Sequence, residues 1–153
     1  MKRSERMAPV QQVLGGKERD RAKDMGAAQR GLGAAESRLQ ELQKYHADYL
    51  HGFQRTAKAG GNALALRDFQ QFLGRLEDAI RQQEQIVAQA RQSVDGSTRQ
   101  WQSAAQRVKA VDSVVDKWQG EERRHEGRLE QKDTDERAQR QQGRGAQGKS
   151  EQH

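Results

Sequence analysis

The fold is decided by residues 66–118, which read LRDFQQFLGRLEDAIRQQEQIVAQARQSVDGSTRQWQSAAQRVKAVDSVVDKW. Apolar residues recur there at alternating steps of three and four, which is the heptad spacing of a coiled coil. Fourteen of the sixteen sampled positions are apolar, whereas random placement at 32% hydrophobic content would give about five. The sampled positions are Leu66, Phe69, Leu73, Leu76, Ile80, Gln83, Val87, Ala90, Val94, Ser97, Trp101, Ala104, Val108, Val111, Val115 and Trp118. The stretch is predicted to be one helix with a continuous apolar seam.

The first third of the chain carries a weaker copy of this repeat. Nine of twelve sampled positions are apolar, and the exceptions are Glu18, Arg21 and His46. The positions are Leu14, Glu18, Arg21, Met25, Ala28, Leu32, Ala35, Leu39, Leu42, His46, Tyr49 and Phe53. A second amphipathic helix is therefore predicted, with a seam that can pack against the first.

Turn signals separate the two repeats. Gly60 and Gly61 favour a helix C-terminus, and Asn62 is a good N-cap for the next helix. Pro9 suits the first turn of a helix, where no backbone N–H is needed. A short turn makes the two helices antiparallel neighbours. The predicted fold is all-α: a flexible N-terminus (1–8), an antiparallel coiled-coil hairpin (9–140, with helices over about 9–57 and 63–135 and a turn at 58–62) and a disordered tail (141–153).

The seam of the second helix is longer than the first helix can cover. If Phe53 pairs with Leu66, then Leu14 falls near Ala104 or Val108, and four further apolar residues have no predicted partner in the chain. We predict that these four bind another protein: Val111, Val114, Val115 and Trp118. Two alternatives remain open, namely that the N-terminal residues fold across them or that two hairpins pair end to end.

The turn end of the hairpin carries more aromatic surface than a two-helix seam can bury. Tyr45 and Phe72 both fall off the heptad positions, beside Tyr49. Partly exposed aromatic side chains are typical anchors in protein–protein interfaces. The alternative is that Tyr45 and Phe72 pack laterally and only widen the seam.

The composition favours binding over catalysis. The chain has no cysteine, and its histidines show no spacing for a metal site, since His46 and His51 lie five residues apart. No enzymatic activity, metal, cofactor or small-molecule substrate is predicted. The net charge of +6 is spread along the chain and interleaved with acids, which does not favour nucleic-acid binding. No signal peptide or membrane span is predicted.

Several segments resemble the FliJ family of the bacterial flagellar export apparatus. The first is Met7-Ala8-Pro9-Val10-Gln11-Gln12-Val13-Leu14. The second is Leu39-Gln40-Glu41-Leu42-Gln43-Lys44-Tyr45-His46-Ala47-Asp48-Tyr49. The third and most specific is Leu66-Arg67-Asp68-Phe69-Gln70-Gln71-Phe72-Leu73, which follows a Gly-containing turn, and Leu76-Glu77-Asp78-Ala79-Ile80 continues it. The resemblance runs over about residues 7–140.

The resemblance implies a helical hairpin similar to the central stalk of rotary ATPases. It implies binding to the hexameric export ATPase, to the export gate and to export chaperones, at the cytoplasmic face of the inner membrane. The gate-binding surface that it implies consists of Leu42, Tyr45, Tyr49, Phe72, Leu76 and Ala79. The stripe from Val111 to Trp118 would then face the ATPase ring. Alternatives are the stalk protein of a virulence secretion system, a dimerising structural coiled coil and a basic coiled coil that coats nucleic acid.

Overall fold

The computed structural model describes the backbone of residues 1–151 and the side chains of residues 1–145. It contains a one-turn helix α1 (Arg3–Arg6) and two long helices, α2 (Ala8–Lys58) and α3 (Ala63–Glu151). No strand occurs in residues 1–151. The prediction of an all-α, antiparallel two-helix coiled coil is confirmed.

The chain divides into two compact units, which are described separately. The turn unit comprises Gly16–Ala105 and therefore holds the connection between α2 and α3. The terminal unit comprises Met1–Gly15 and Gln106–His153, so it combines α1, the start of α2 and the later part of α3.

In the turn unit, the heptad positions of α3 are buried or half-buried without exception from Leu66 to Ala104. The polar seam residues have partners. Gln83 donates its side-chain N–H to the carbonyl oxygen of Ala35 at 3.0 Å, and the Trp101 indole donates to the Glu18 carboxylate at 2.7 Å. These bonds join α2 to α3, and they satisfy polar groups that would otherwise weaken a narrow apolar seam.

The connection between α2 and α3 is a tight glycine turn. Gly60 has a φ of +76°, and its N–H donates to Ala57 while that of Gly61 donates to Thr56. This pair of bonds is the Schellman motif, which ends a helix by satisfying its last carbonyls. The Asn62 side chain then accepts the N–H of Ala65 at 2.8 Å and caps α3. A Cβ on Gly61 would lie 2.8 Å from the Thr56 carbonyl oxygen, so the position requires glycine.

In the terminal unit, α3 extends further than the sequence predicts. The expected end was near residue 135, but α3 continues to Glu151, and every residue of 123–145 is exposed. The helix formers of residues 136–142 and short-range pairs such as Arg137–Asp133, at 3.2 Å, favour the first of the extra turns. The predicted disordered tail begins at residue 141, and residues 141–145 are helical and exposed. The side chains of 146–151 and all of 152–153 lie outside the residues that the structure describes.

No helix within the described residues is long and apolar enough to cross a membrane.

Candidate functional site

An aromatic cluster forms on the turn unit where α2 and α3 face each other. The rings of Tyr49 and Phe72 lie 4.3 Å apart, and Phe69 contacts both Tyr49 and Phe53 edge-on at 6.3 Å. Tyr49 is 42% exposed and Phe72 is 37% exposed. Packed aromatic rings hold each other in place, so the cluster offers an ordered apolar surface to solvent.

Tyr45 extends this surface along α2. It lies one turn before Tyr49 on the same helical face and is 50% exposed. Beside the rings, Tyr49, Phe69 and Phe72 line a shallow, mainly apolar concavity of about 310 Å³ together with Ala65 and Asp68. Such a surface can receive an apolar side chain of a partner protein, with Asp68 as a charged group at its edge.

The structure divides the predicted gate-binding residues into two groups. Tyr45, Tyr49 and Phe72 are exposed, whereas Leu42 and Leu76 are buried in the seam, with 6% and 8% of their surface accessible. Both leucines occupy heptad positions, which is the physical reason for their burial. They support the surface from below and do not form part of it. Ala79, the sixth residue of the predicted set, is half-buried.

Three exposed apolar residues of the turn unit were missed in the sequence. Leu64 is 67% exposed, Leu50 is 38% exposed and Ile86 is 42% exposed. Ile86 could have been found, because it falls two heptads after Phe72 and therefore on the same side of α3. Leu64 lies in the first turn of α3 and Leu50 lies eight residues before the end of α2, and neither falls on a heptad position.

The second predicted binding region, Val111 to Trp118 in the terminal unit, is largely covered. Val115 is only 3% exposed, Val111 and Trp118 are half-buried, and Val114 alone is exposed, at 41%. The expectation that this stripe lacks a partner within the chain is wrong. The alternative that the N-terminal residues fold across it describes the structure.

Helix α1 covers the Trp118 end of the stripe, whereas the start of α2 lies beside its Val111 end, where Gln11 donates to Asp112 at 2.9 Å. The Arg3 guanidinium lies over the Trp118 ring, 4.2 Å from its centroid, and also contacts Glu121 at 2.9 Å. Ser4 is buried and donates to Glu122 twice, from its hydroxyl at 2.6 Å and its backbone N–H at 3.1 Å. Segment 1–8, expected to be flexible, thus contains an anchored helical turn. Its anchors are polar contacts across 118 residues, which no local pattern reveals.

Lys2 completes the contact by pairing with Glu126. The hydrogen bond to Glu126, and then its charge, raise the pKa of Lys2 above its ordinary value. On the other side, the hydrogen bonds from the Ser4 hydroxyl and backbone lower the pKa of Glu122, and Lys2 and Arg3 lower it further by their charge. Both shifts have the direction expected of contacts that favour the charged forms of Lys2 and Glu122.

The docking of α1 should therefore weaken in acid. Because the pKa of Glu122 is lower when α1 is docked, its contribution is present above the ordinary glutamate pKa of 4.5 and is lost as the pH falls below that value. Acrylamide quenching of Trp118 fluorescence, in a Trp101→Phe background, should increase between neutral pH and pH ~3.5. In a Glu122→Gln variant the increase should be smaller, and an equal increase would assign the effect to other carboxylates.

The described residues contain no group of three His, Asp or Glu side chains that could hold a metal ion. His46 lies in the seam region with its ring nitrogen 3.3 Å from Glu77, as a helix-to-helix contact.

The fold and these surfaces define an antiparallel coiled-coil protein with an exposed aromatic cluster and a covered apolar stripe. The family model described as "Flagellar FliJ protein" matches residues 2–147, nearly the whole chain, and the chain belongs to this family. It is thus a coiled-coil protein of flagellar or related type III export, and the family is a non-enzymatic export component. No curated protein and no solved structure gives a significant match to the chain.

Proposed function

We propose that this protein links the export ATPase to the export gate in the flagellar type III export apparatus. The observation that carries the proposal is the exposed aromatic cluster of Tyr45, Tyr49 and Phe72 on a chain that belongs to the FliJ family. An apolar aromatic surface of this kind is costly to leave in water and is typical of protein-binding sites.

The gate is the partner proposed for the aromatic cluster. Leu42 and Leu76 are buried between α2 and α3 beneath it, and Ala79 is half-buried one heptad after Phe72. A partner side chain that enters the concavity would contact the three rings that line it, those of Tyr49, Phe69 and Phe72. The supporting leucines would contribute by holding the rings in place, without touching the gate.

The ATPase ring is the partner proposed for the stripe of Val111, Val114, Val115 and Trp118. Only Val114 of these four residues is exposed in the structure, so contact with Trp118 requires α1 to move. Export chaperones are further proposed partners. The protein would act on the cytoplasmic face of the inner membrane, and its loss would prevent flagellum assembly and motility.

Co-purification tests the proposal directly. The full chain should be retained by the immobilised cytoplasmic domain of the gate and, separately, by the immobilised export ATPase. An unrelated antiparallel coiled coil of similar length and charge serves as the control, because it shares the seam but not the aromatic cluster. If neither export protein retains more of this chain than of the control, the proposed function is wrong.

A further inference from the structure

The contact of α1 with α3 is built almost entirely from charged and polar groups. Lys2, Arg3 and Ser4 each have a partner on one side of α3, and these partners are Glu126, Glu121 and Glu122. The side chains of Lys2, Arg3, Glu121 and Glu126 are between 42% and 56% exposed. Ion pairs exposed to this degree are weak individually and sensitive to salt.

The surface under this contact is apolar. The Arg3 guanidinium covers one face of the Trp118 ring, and Val115 lies one turn earlier on α3 with 3% of its surface exposed. The attachment is therefore of a different kind from the seam, whose heptad positions are held by apolar burial. A short segment held by exposed ion pairs and by the hydrogen bonds of one buried serine can leave while the helices below it stay paired.

The connection of α1 to α2 also permits this movement. Only Met7 separates the two helices, and Pro9, two residues further on, has no N–H to donate back towards α1. One helical hydrogen bond, from residue 9 to Glu5, is therefore missing where α1 would have to turn away, while the Met7 N–H still donates to Ser4 and the Gln11 N–H to Met7.

We propose that residues 1–7 form a strap that opens and closes over Trp118 and, when closed, blocks partner access to the Trp118 end of the stripe. The blocking rests on the proposed function, whereas the opening does not. An open strap would expose the Trp118 ring and leave Glu121, Glu122 and Glu126 without their α1 partners. A partner protein with basic groups next to an apolar side chain would then fit this surface, because the basic groups would replace Lys2 and Arg3.

The opening is tested by acrylamide quenching of Trp118 in the full chain carrying Trp101→Phe. A Lys2→Ala/Arg3→Ala/Ser4→Ala variant should raise the quenching constant about twofold, since the covered ring face becomes accessible. The matched control is Arg6→Ala, which also removes a positive charge from α1. The Arg6 side chain donates to the Met1 carbonyl and makes no hydrogen bond to the described side chains of α3. Arg6→Ala should leave quenching unchanged.

Salt gives an independent measurement on the unaltered strap. Raising the ionic strength from 0.1 M to 1 M shortens the screening length from about 10 Å to about 3 Å. Quenching in the chain with the strap intact should then approach that of the triple variant, which should itself respond little. Equal quenching in the two proteins at low salt would overturn the strap.

The blocking is tested with the export ATPase as the probe. If the strap is closed for about 90% of the time, the triple variant should bind about tenfold more tightly than the intact chain. Equal affinity, with the quenching change present, would overturn the blocking role. Absence of binding by both proteins would count against the proposed function, while quenching alone decides whether the strap opens.

Discussion

Replacing Val115 with aspartate is expected to lower the melting temperature by on the order of 10 °C, whereas the same change at Val114 should shift it by less than about 2 °C. The two valines are adjacent, but Val115 is 3% exposed and Val114 is 41% exposed. A carboxylate at position 115 would be buried, which costs several kcal/mol. At position 114 it would remain hydrated.

The measurement is thermal unfolding followed by helical circular dichroism, with hydrogen exchange of residues 106–122 as a local probe. Exchange there should accelerate strongly in Val115→Asp and little in Val114→Asp. The pair is well matched because residue type, helix and new charge are the same, and only burial differs. Comparable destabilisation by the two changes would mean that the burial of this stripe is not what holds the terminal unit together.

The comparison also bears on the predicted binding stripe. The sequence predicts a partner protein for four residues because the seam of α3 is longer than the helix predicted over 9–57: Val111, Val114, Val115 and Trp118. The heptad pattern correctly marks Val111, Val115 and Trp118 as positions that must be covered, and in the structure none of them is exposed. It does not reveal that α1 covers Trp118, because α1 is too short to show a period and is attached through polar contacts.

The seam itself was predictable because a coiled coil repeats one simple rule. Even its polar exceptions fit, since Gln83 finds the Ala35 carbonyl and Trp101 finds Glu18 across the helix pair. The specific partners of these groups were not predictable, because they depend on the register of α2 against α3. Register comes from the turn geometry at Gly60 and Gly61 and from packing along the whole helix pair.

The candidate gate surface shows where two kinds of inference disagreed. The heptad positions placed Leu42 and Leu76 in the seam, while the family resemblance placed them on the binding surface. The structure follows the heptads, with both leucines buried. Periodicity indicates which side of a helix is covered. A family resemblance instead groups all residues that matter for binding, both those that contact the partner and those that support the contacting residues.

Replacing Phe72 with alanine is therefore expected to weaken gate binding by about 2 kcal/mol, or roughly 30-fold in Kd, without measurable loss of helix. Phe72 is 37% exposed and contacts Tyr49 at 4.3 Å, so its truncation removes binding surface and frees the neighbouring ring. The seam below is unaffected, because Leu73 and Leu76 remain in place. Titration calorimetry with the cytoplasmic domain of the gate gives the affinity, and circular dichroism gives the helix content.

The matched control is Ile86→Ala. Ile86 is 42% exposed and lies two heptads from Phe72 on the same side of α3, so it is similarly apolar and accessible but outside the aromatic cluster. Its truncation should leave Kd nearly unchanged. An equal loss for Ile86→Ala would indicate a broad apolar contact along α3, with no special role for the rings.

Leu76→Ala separates support from contact. Because Leu76 is buried, its truncation should cost about 2–5 kcal/mol in unfolding free energy through lost burial and a cavity. Any loss of gate binding should then accompany lower thermal stability, and it should diminish at lower temperature where the helix pair is intact. For Phe72→Ala the affinity should fall at every temperature at which the chain stays folded, since what is missing is contact surface and not the scaffold that presents it.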